Sequence, residues 1–189
     1  MEKILIIAVD YNSNFYSEKL IHSIEKLSDR EKIDLHIAFT GDDHLDENLT
    51  VYKKHSFNNI GYFPAAKKVF DSIFNIKRYE FVIICNCDIE ILTKNLVKIL
   101  NEKKQLSADV IAPSIIQLND IEQNPHRICA PSKSTLIKYK IYFINFHLAK
   151  IINLLRKRIK PKKRNKATSI IFSPHGAFII LRKSYFEKG

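Results

Sequence analysis

A chain of 189 residues with 46% hydrophobic content can bury one substantial core, so a single domain over 1–189 is expected. Cysteines at 85, 87 and 129 form an odd set with no paired CxxC spacing, which argues against a disulfide framework or a zinc site and for a reduced, cytoplasmic setting. The formal charge of +11 is unevenly spread: Gln123 to Phe186 holds 15 of the 31 Lys and Arg and none of the 20 Asp and Glu, so one segment on a slightly acidic body seeks an anionic partner.

Met1-Glu2-Lys3 leads directly into the apolar stretch Ile4 to Val9, which is too short for a signal peptide, and no run of 18 apolar residues predicts a membrane span. Ile4 to Val9 predicts the first strand. Asp10-Tyr11-Asn12-Ser13-Asn14 breaks it, and Phe15, Leu20, Ile24 and Leu27 then recur at helical spacing. Ile33 to Thr40 predicts a second strand closed by Gly41-Asp42-Asp43, and Leu49 to Lys54 a short third. After Asn58-Asn59-Ile60-Gly61, the spacing of Ala65, Val69, Ile73 and Phe74 predicts a helix. The run from Tyr79 to Ile84 does not alternate, which is the habit of a strand covered on both faces in a parallel sheet, and it closes on Asn86-Cys87-Asp88. Thr93 is placed to cap a helix carrying Leu96, Val97 and Leu100, and Asp109 to Ile116 predicts a further strand. Gln117 to Ser134, with Pro125 and Pro131, reads as a surface excursion. Ile141, Ile144, Leu148, Ile151, Leu155 and Ile159 then follow helical spacing into a basic run around Pro161. Ser169 to Phe172 and Ala177 to Leu181 predict two last strands around Ser173-Pro174-His175-Gly176. Strands alternating with helices imply right-handed βαβ units and an α/β fold.

In such sheets ligands bind outside the carboxyl ends of the strands. There the chain places Asp10-Tyr11-Asn12, Asp42-Asp43, Asn59-Ile60-Gly61 and Asn86-Cys87-Asp88. Taken alone, Asp88 is as readily a turn residue as a metal ligand; its three companion loops favour the ligand. His175 is more readily a histidine satisfied in a turn than a ligand contact, although Gly176 beside it admits close approach to the backbone. Cys85 and Cys87 are expected to be buried as small hydrophobes. The cations Arg156, Lys157, Arg158, Lys160, Lys162, Lys163 and Arg164 are most simply a solvated charge run. They also follow a helix carrying Tyr142, Phe143 and Phe146, which makes 137–166 a basic amphipathic insertion suited to an anionic membrane surface. Nucleic acid is not expected, because no base-stacking platform or reading helix accompanies the charge.

Val9-Asp10-Tyr11-Asn12-Ser13, Asn59-Ile60-Gly61-Tyr62, Asn86-Cys87-Asp88 and Gly176-Ala177-Phe178-Ile179-Ile180-Leu181-Arg182 occur in that order. In this ordered set the chain resembles the family-2 glycosyltransferases, especially the rhamnosyltransferase-like members of bacterial surface polysaccharide synthesis, from about Ile4 to Gly189. The resemblance implies a GT-A-type, Rossmann-like, mostly parallel sheet flanked by helices. It implies inverting transfer from a nucleotide-diphospho-sugar donor to a glycan or polyprenol-linked acceptor, at the cytoplasmic face of the cell membrane. Asp88 would hold Mg²⁺ or Mn²⁺, which offsets the charge that grows on the departing diphosphate. Asp10, Asn12, Asp42 or Asp43, Asn59, Gly61 and Asn86 would contact the donor, and His175 and Gly176 the acceptor or a phosphate. Two departures stand out: Phe63-Pro64-Ala65-Ala66-Lys67 replaces a glycine and asparagine series, and Cys87 replaces a proline. The family's general base is carried by a segment that would lie beyond Gly189, so the base is expected outside these residues. A chain without it would hold the donor and not transfer the sugar. A nucleotidyltransferase would want a glycine-rich phosphate loop near the first strand, and the four glycines leave none there.

Overall fold

The computed structural model describes residues 3–41, 51–103, 108–125, 127–145, 147, 149–150 and 170–188. The chain forms two compact units, Met1–Ile115 with His175–Gly189, and Ile116–Pro174.

The first unit is built on six strands: β1 Lys3–Asp10, β2 Ile33–Phe39, β3 Tyr52–Ser56, β4 Tyr79–Asn86, β5 Val110–Ile111 and β6 Phe178–Arg182. Their order across the sheet is β3-β2-β1-β4-β6-β5. β3, β2, β1 and β4 run parallel, and β6 is antiparallel to both β4 and β5. All of β1 after Lys3 is buried, which explains its unbroken apolar run. Alternate residues serve opposite layers. Ile4, Ile6, Phe81 and Ile83 meet α1 (Asn14–Glu25) through Leu20, Ile21 and Ile24, and α3 (Leu96–Glu102) through Leu96, Val97 and Leu100. Leu5, Ile7 and Val82 meet α2 (Tyr62–Ser72) through Ala65, Ala66 and Val69, whose small side chains let that helix lie close.

The second unit holds α4 (Lys133–Ile144), started by Ser132, whose hydroxyl accepts the Thr135 amide at 3.3 Å. A tight turn pairs Ile116 with Glu122, and Arg127 pairs with Ser173. A short helix, α5 (Lys183–Glu187), follows β6 in the first unit.

Several boundaries differ from the sequence expectations, each for a local reason. The strand expected over Asp109 to Ile116 shrinks to Val110–Ile111, and Pro113, which cannot donate to a ladder, follows two residues later. The cap of α3 is Asn95 rather than Thr93, whose hydroxyl instead accepts the Asn95 amide at 3.4 Å in the preceding turn. The α2 stripe stops at Ser72, and Phe74 is exposed. The strand expected over Ser169 to Phe172 amounts, among the described residues, to a single bridge at Ser173, with Pro174 next in the chain. Asp42, Asp43 and the cations from Arg156 to Arg164 lie outside the described residues.

Candidate functional site

The order of strands reverses between β1 and β4: β2 and β3 extend to one side of β1, and β4 begins the other. In open α/β sheets such a reversal marks the crevice, outside the carboxyl ends of the strands, where ligands are taken. Register brings the ends of these strands, and with them Asp10 and Asn86, to this one edge. Asp10 aligns with Phe39, Phe39 with Ser56, Val9 with Asn86, and Cys85 with Phe178 at the start of β6.

Asp10 ends β1 and is 1% exposed. One carboxylate oxygen accepts the Ser13 amide at 2.7 Å and the other accepts the Ser17 hydroxyl, so both are spent on the first turn of α1. A buried carboxylate at a helix N-terminus is also favoured by the dipole. Its main-chain carbonyl accepts both the amide and the hydroxyl of Thr40, each at 2.9 Å, which ties the β1 loop to the end of β2. Asn12 follows in a left-handed conformation (φ 52°) and is exposed. A Cβ at Gly41 would come within 2.0 Å of Asn12 Oδ1, so glycine there is what lets the two loops meet.

Gly61 opens α2 with φ 86° and ψ 165°, a combination reserved for glycine. Asn59 Oδ1 accepts its amide at 3.3 Å. The next residue, Tyr62, donates its hydroxyl to the Gly176 carbonyl at 3.1 Å, joining the α2 start to the loop before β6. Burial, then Cys85 and Asp88, push the Tyr62 phenol upward, so it stays a donor. That loop is also tied to β4, because the Asn86 amide donates to the Ala177 carbonyl at 3.0 Å. His175 Nδ1 accepts the Ala177 amide at 3.2 Å, which leaves the proton of the neutral ring on Nε2.

Asp88 stands in the turn after β4 and is exposed. Among the described residues it makes no hydrogen bond, and its charge reaches Tyr62, Cys85 and Cys87. Burial, Asp10 and Asp88 push the Cys87 thiol up to about 12, and burial pushes Cys85 up as well, so both remain neutral thiols. Among the described residues no group of three or more His, Cys, Asp or Glu forms a metal cage. The donor set suits a hard divalent cation held by one carboxylate and by oxygens of a bound ligand, which is the usual habit of Mg²⁺ beside phosphates. Three contributors went unremarked in the sequence: Ser17, Thr40 and the Tyr62 hydroxyl. Only Tyr62 lay inside a recognisable motif, Asn59-Ile60-Gly61-Tyr62; Ser17 and Thr40 act on Asp10 through contacts that no spacing announces.

The sequence matches no family model and no curated protein. Its fold has solved counterparts. Mannosyltransferase PcManGT from Pyrobaculum calidifontis, in complex with GDP-Man and Mn²⁺, is similar with a TM-score of 0.55 and 10% identity, over 98% of this chain and 46% of that one. S. aureus TarS 1–349 is similar with a TM-score of 0.57 and 16% identity, over 98% and 48%. This chain therefore spans about half the length of each. The shared property is the fold, a GT-A-type α/β architecture with a mostly parallel sheet flanked by helices.

Proposed function

We propose that the carboxyl edge of the sheet binds a nucleotide-diphospho-sugar and serves metal-assisted, inverting glycosyl transfer to a glycan or polyprenol-linked acceptor in surface polysaccharide synthesis. The observation that carries this reading is Asp88: an exposed carboxylate at the switch point, uncommitted among the described residues, while its neighbour Asp10 is fully engaged. A fold shared with a mannosyltransferase whose structure contains GDP-Man and Mn²⁺ supports it. In this reading the protein works at the cytoplasmic face of the membrane, with the basic run from Arg156 to Arg164 against anionic lipid.

Asp88, assisted by Asn86, would hold a divalent ion, which when bound supplies a Lewis acid for the charge leaving with the diphosphate. His175 presents Nε2–H as a neutral donor to a phosphate oxygen, and Tyr62 fixes the loop that carries it through Gly176. Asn12 and Asn59 offer side-chain amides to the nucleoside and diphosphate, Gly61 leaves the start of α2 open to close approach, and Asp42 or Asp43 contributes beside them. Asp10 holds the shape of the first loop from beneath. Isothermal titration with UDP-, GDP- and dTDP-sugars in Mn²⁺ tests the assignment. Asp88→Asn should weaken the metal-dependent part of binding on the order of a hundredfold, about 2.7 kcal/mol. Mn²⁺-dependent affinity that is unchanged in Asp88→Ala would sink the role.

A further inference from the structure

A surface helix ordinarily turns its apolar stripe inward and its polar face to water. α4 reverses this. Thr135, Tyr139 and Tyr142, spaced i, i+4, i+7, are its half-buried face, and none of its residues is fully buried. Arg127 lies over the Tyr139 ring at 5.0 Å, which fills that side with polar and aromatic contacts. On the opposite side Ile137, Ile141 and Ile144, again i, i+4, i+7, form an exposed aliphatic stripe, and Ile144 is 81% exposed. Phe143 extends the apolar surface on one flank and is 79% exposed. At 100° per residue, Lys133 and Lys140 border the stripe on one side and Lys138 on the other.

β-branched residues exposed in a line cost solubility, and among the described residues neither buried cluster includes a residue of α4. Their lysine borders can extend along an apolar layer and keep their ammonium groups in the headgroup region. No Asp or Glu lies between Gln123 and Phe186 to repel an anionic surface. Among the described residues no helix is long and apolar enough to cross a membrane, so the geometry suits a helix lying in the interface plane.

We infer that α4 docks in the interface of an anionic lipid bilayer, inserting Ile137, Ile141 and Ile144 below the headgroups with Lys133, Lys138 and Lys140 at phosphate level. This deepens the peripheral-membrane part of the proposed function by naming the inserting element, and it rests on that part alone.

Co-sedimentation of the full chain with phosphatidylcholine vesicles, with and without about 30% phosphatidylglycerol, tests it. The chain should partition onto the anionic vesicles and far less onto the neutral ones. Replacing Ile137, Ile141 and Ile144 together with Ser should weaken that partition at least about tenfold, with unchanged circular dichroism. A single Ile141→Cys carrying an environment-sensitive dye should shift to the blue on anionic vesicles, a readout that needs no change in the stripe. If vesicle binding survives the triple variant but is lost when the cations from Arg156 to Arg164 are neutralised, the membrane reading stands and α4 is the wrong element. If the chain ignores both vesicles, both fall. Monomer-dimer exchange removed by the triple variant, or salt-dependent RNA binding with no vesicle binding, would assign the stripe to a second copy or the charge to nucleic acid, and either overturns the inference. Nucleotide-sugar binding, measured in the same triple variant, should be unaffected.

Discussion

The ends of β1 and β4 lie side by side at one edge of the sheet, and each delivers an aspartate to it, yet the two carboxylates live under opposite conditions. Asp10 is buried, with one oxygen on the Ser13 amide, the other on the Ser17 hydroxyl, and its carbonyl holding Thr40. Asp88 is exposed beyond the strand and makes no hydrogen bond among the described residues. A carboxylate removed from water must be repaid by donors or it neutralises. Asp10 has them from its own chain and so stabilises the fold; Asp88 stays in water and has no such donors among the described residues. The lesson is that proximity to a switch point makes a residue a candidate, and its prior commitments decide the role.

The sharpest way to break this contrast is to remove each carboxylate and measure stability. Asp10→Ala leaves a buried amide and hydroxyl without an acceptor and should cost about 3 kcal/mol in urea unfolding, whereas Asp88→Ala should change stability by less than about 0.5 kcal/mol. Asp10→Asn is the control for charge. Its amide oxygen can still accept the Ser13 amide, so the loss should fall to about 1 kcal/mol. Equal losses in Asp10→Ala and Asp88→Ala would erase the distinction.

A second measurement separates the sheet's stability from its site by pH. His36 on β2 is buried and meets His55 of β3 through a 3.0 Å Nδ1 to Nε2 contact with stacked rings. Burial, then His55 and Lys53, lower His36 from 6.5 to about 4 against an opposing pull from Asp34, and burial with Lys53 lowers His55. Both folded values lie below the unfolded one, so as pH falls the unfolded chain takes up protons first. Stability is therefore full above about pH 6.5 and declines as pH falls from about 6.5 to 4, by a few kcal/mol once solvent screening of this partly exposed pair is counted. His36→Gln should flatten that decline. The same decline should appear in Asp88→Ala, because this pair lies in the sheet and not in the crevice; a decline that vanishes with Asp88 would contradict the division.

Much of this was legible in the sequence, because a long parallel strand has a simple requirement. Ile4 to Val9 and Phe81 to Ile84 must be apolar on both faces, because helices cover the sheet on both sides there. The alternation of strands and helices, and the arrival of the polar ends of β1 and β4 at one edge, followed from it. Edge elements were harder. β5 and β3 are short, half-solvated strands, where one proline shifts the boundary, as Pro113 does. The difference between Asp10 and Asp88 was not legible at all. It depends on Ser17 turning its hydroxyl back seven residues, a contact set by how α1 packs, and serine carries no periodic signal. For α4 the sequence marked an amphipathic insertion suited to a membrane surface, but its helical spacing alone did not say which residues meet the protein.

A smaller effect tests the third loop. Gly61→Ala has room, since the nearest atom to an added Cβ is Pro64 Cδ at 3.9 Å, so its cost is purely that of holding alanine at φ 86°. Thermal unfolding should show a loss of about 1–2 kcal/mol. Donor affinity should fall further than that stability loss explains if the loop offers its backbone to the donor, and should be unchanged if the glycine serves only to start α2.

The smallest change is the most discriminating, because Tyr62 touches neither contrasted carboxylate and yet holds the loop before β6. Its hydroxyl donates to the Gly176 carbonyl, burial and then Cys85 and Asp88 raise its phenol, and Gly176 adjoins the histidine whose Nδ1 is tied to Ala177. Tyr62→Phe keeps the ring against Phe63 and removes one half-exposed hydrogen bond, so stability should fall by only about 1 kcal/mol. If the loop is held for the sake of His175, the variant should retain Mn²⁺ binding at Asp88 and lose affinity for the whole nucleotide-sugar, and His175→Ala should add little on top of it. Additive losses in the double variant would mean that Tyr62 and His175 act independently, and that Asp88 alone organises the β4 side of the crevice.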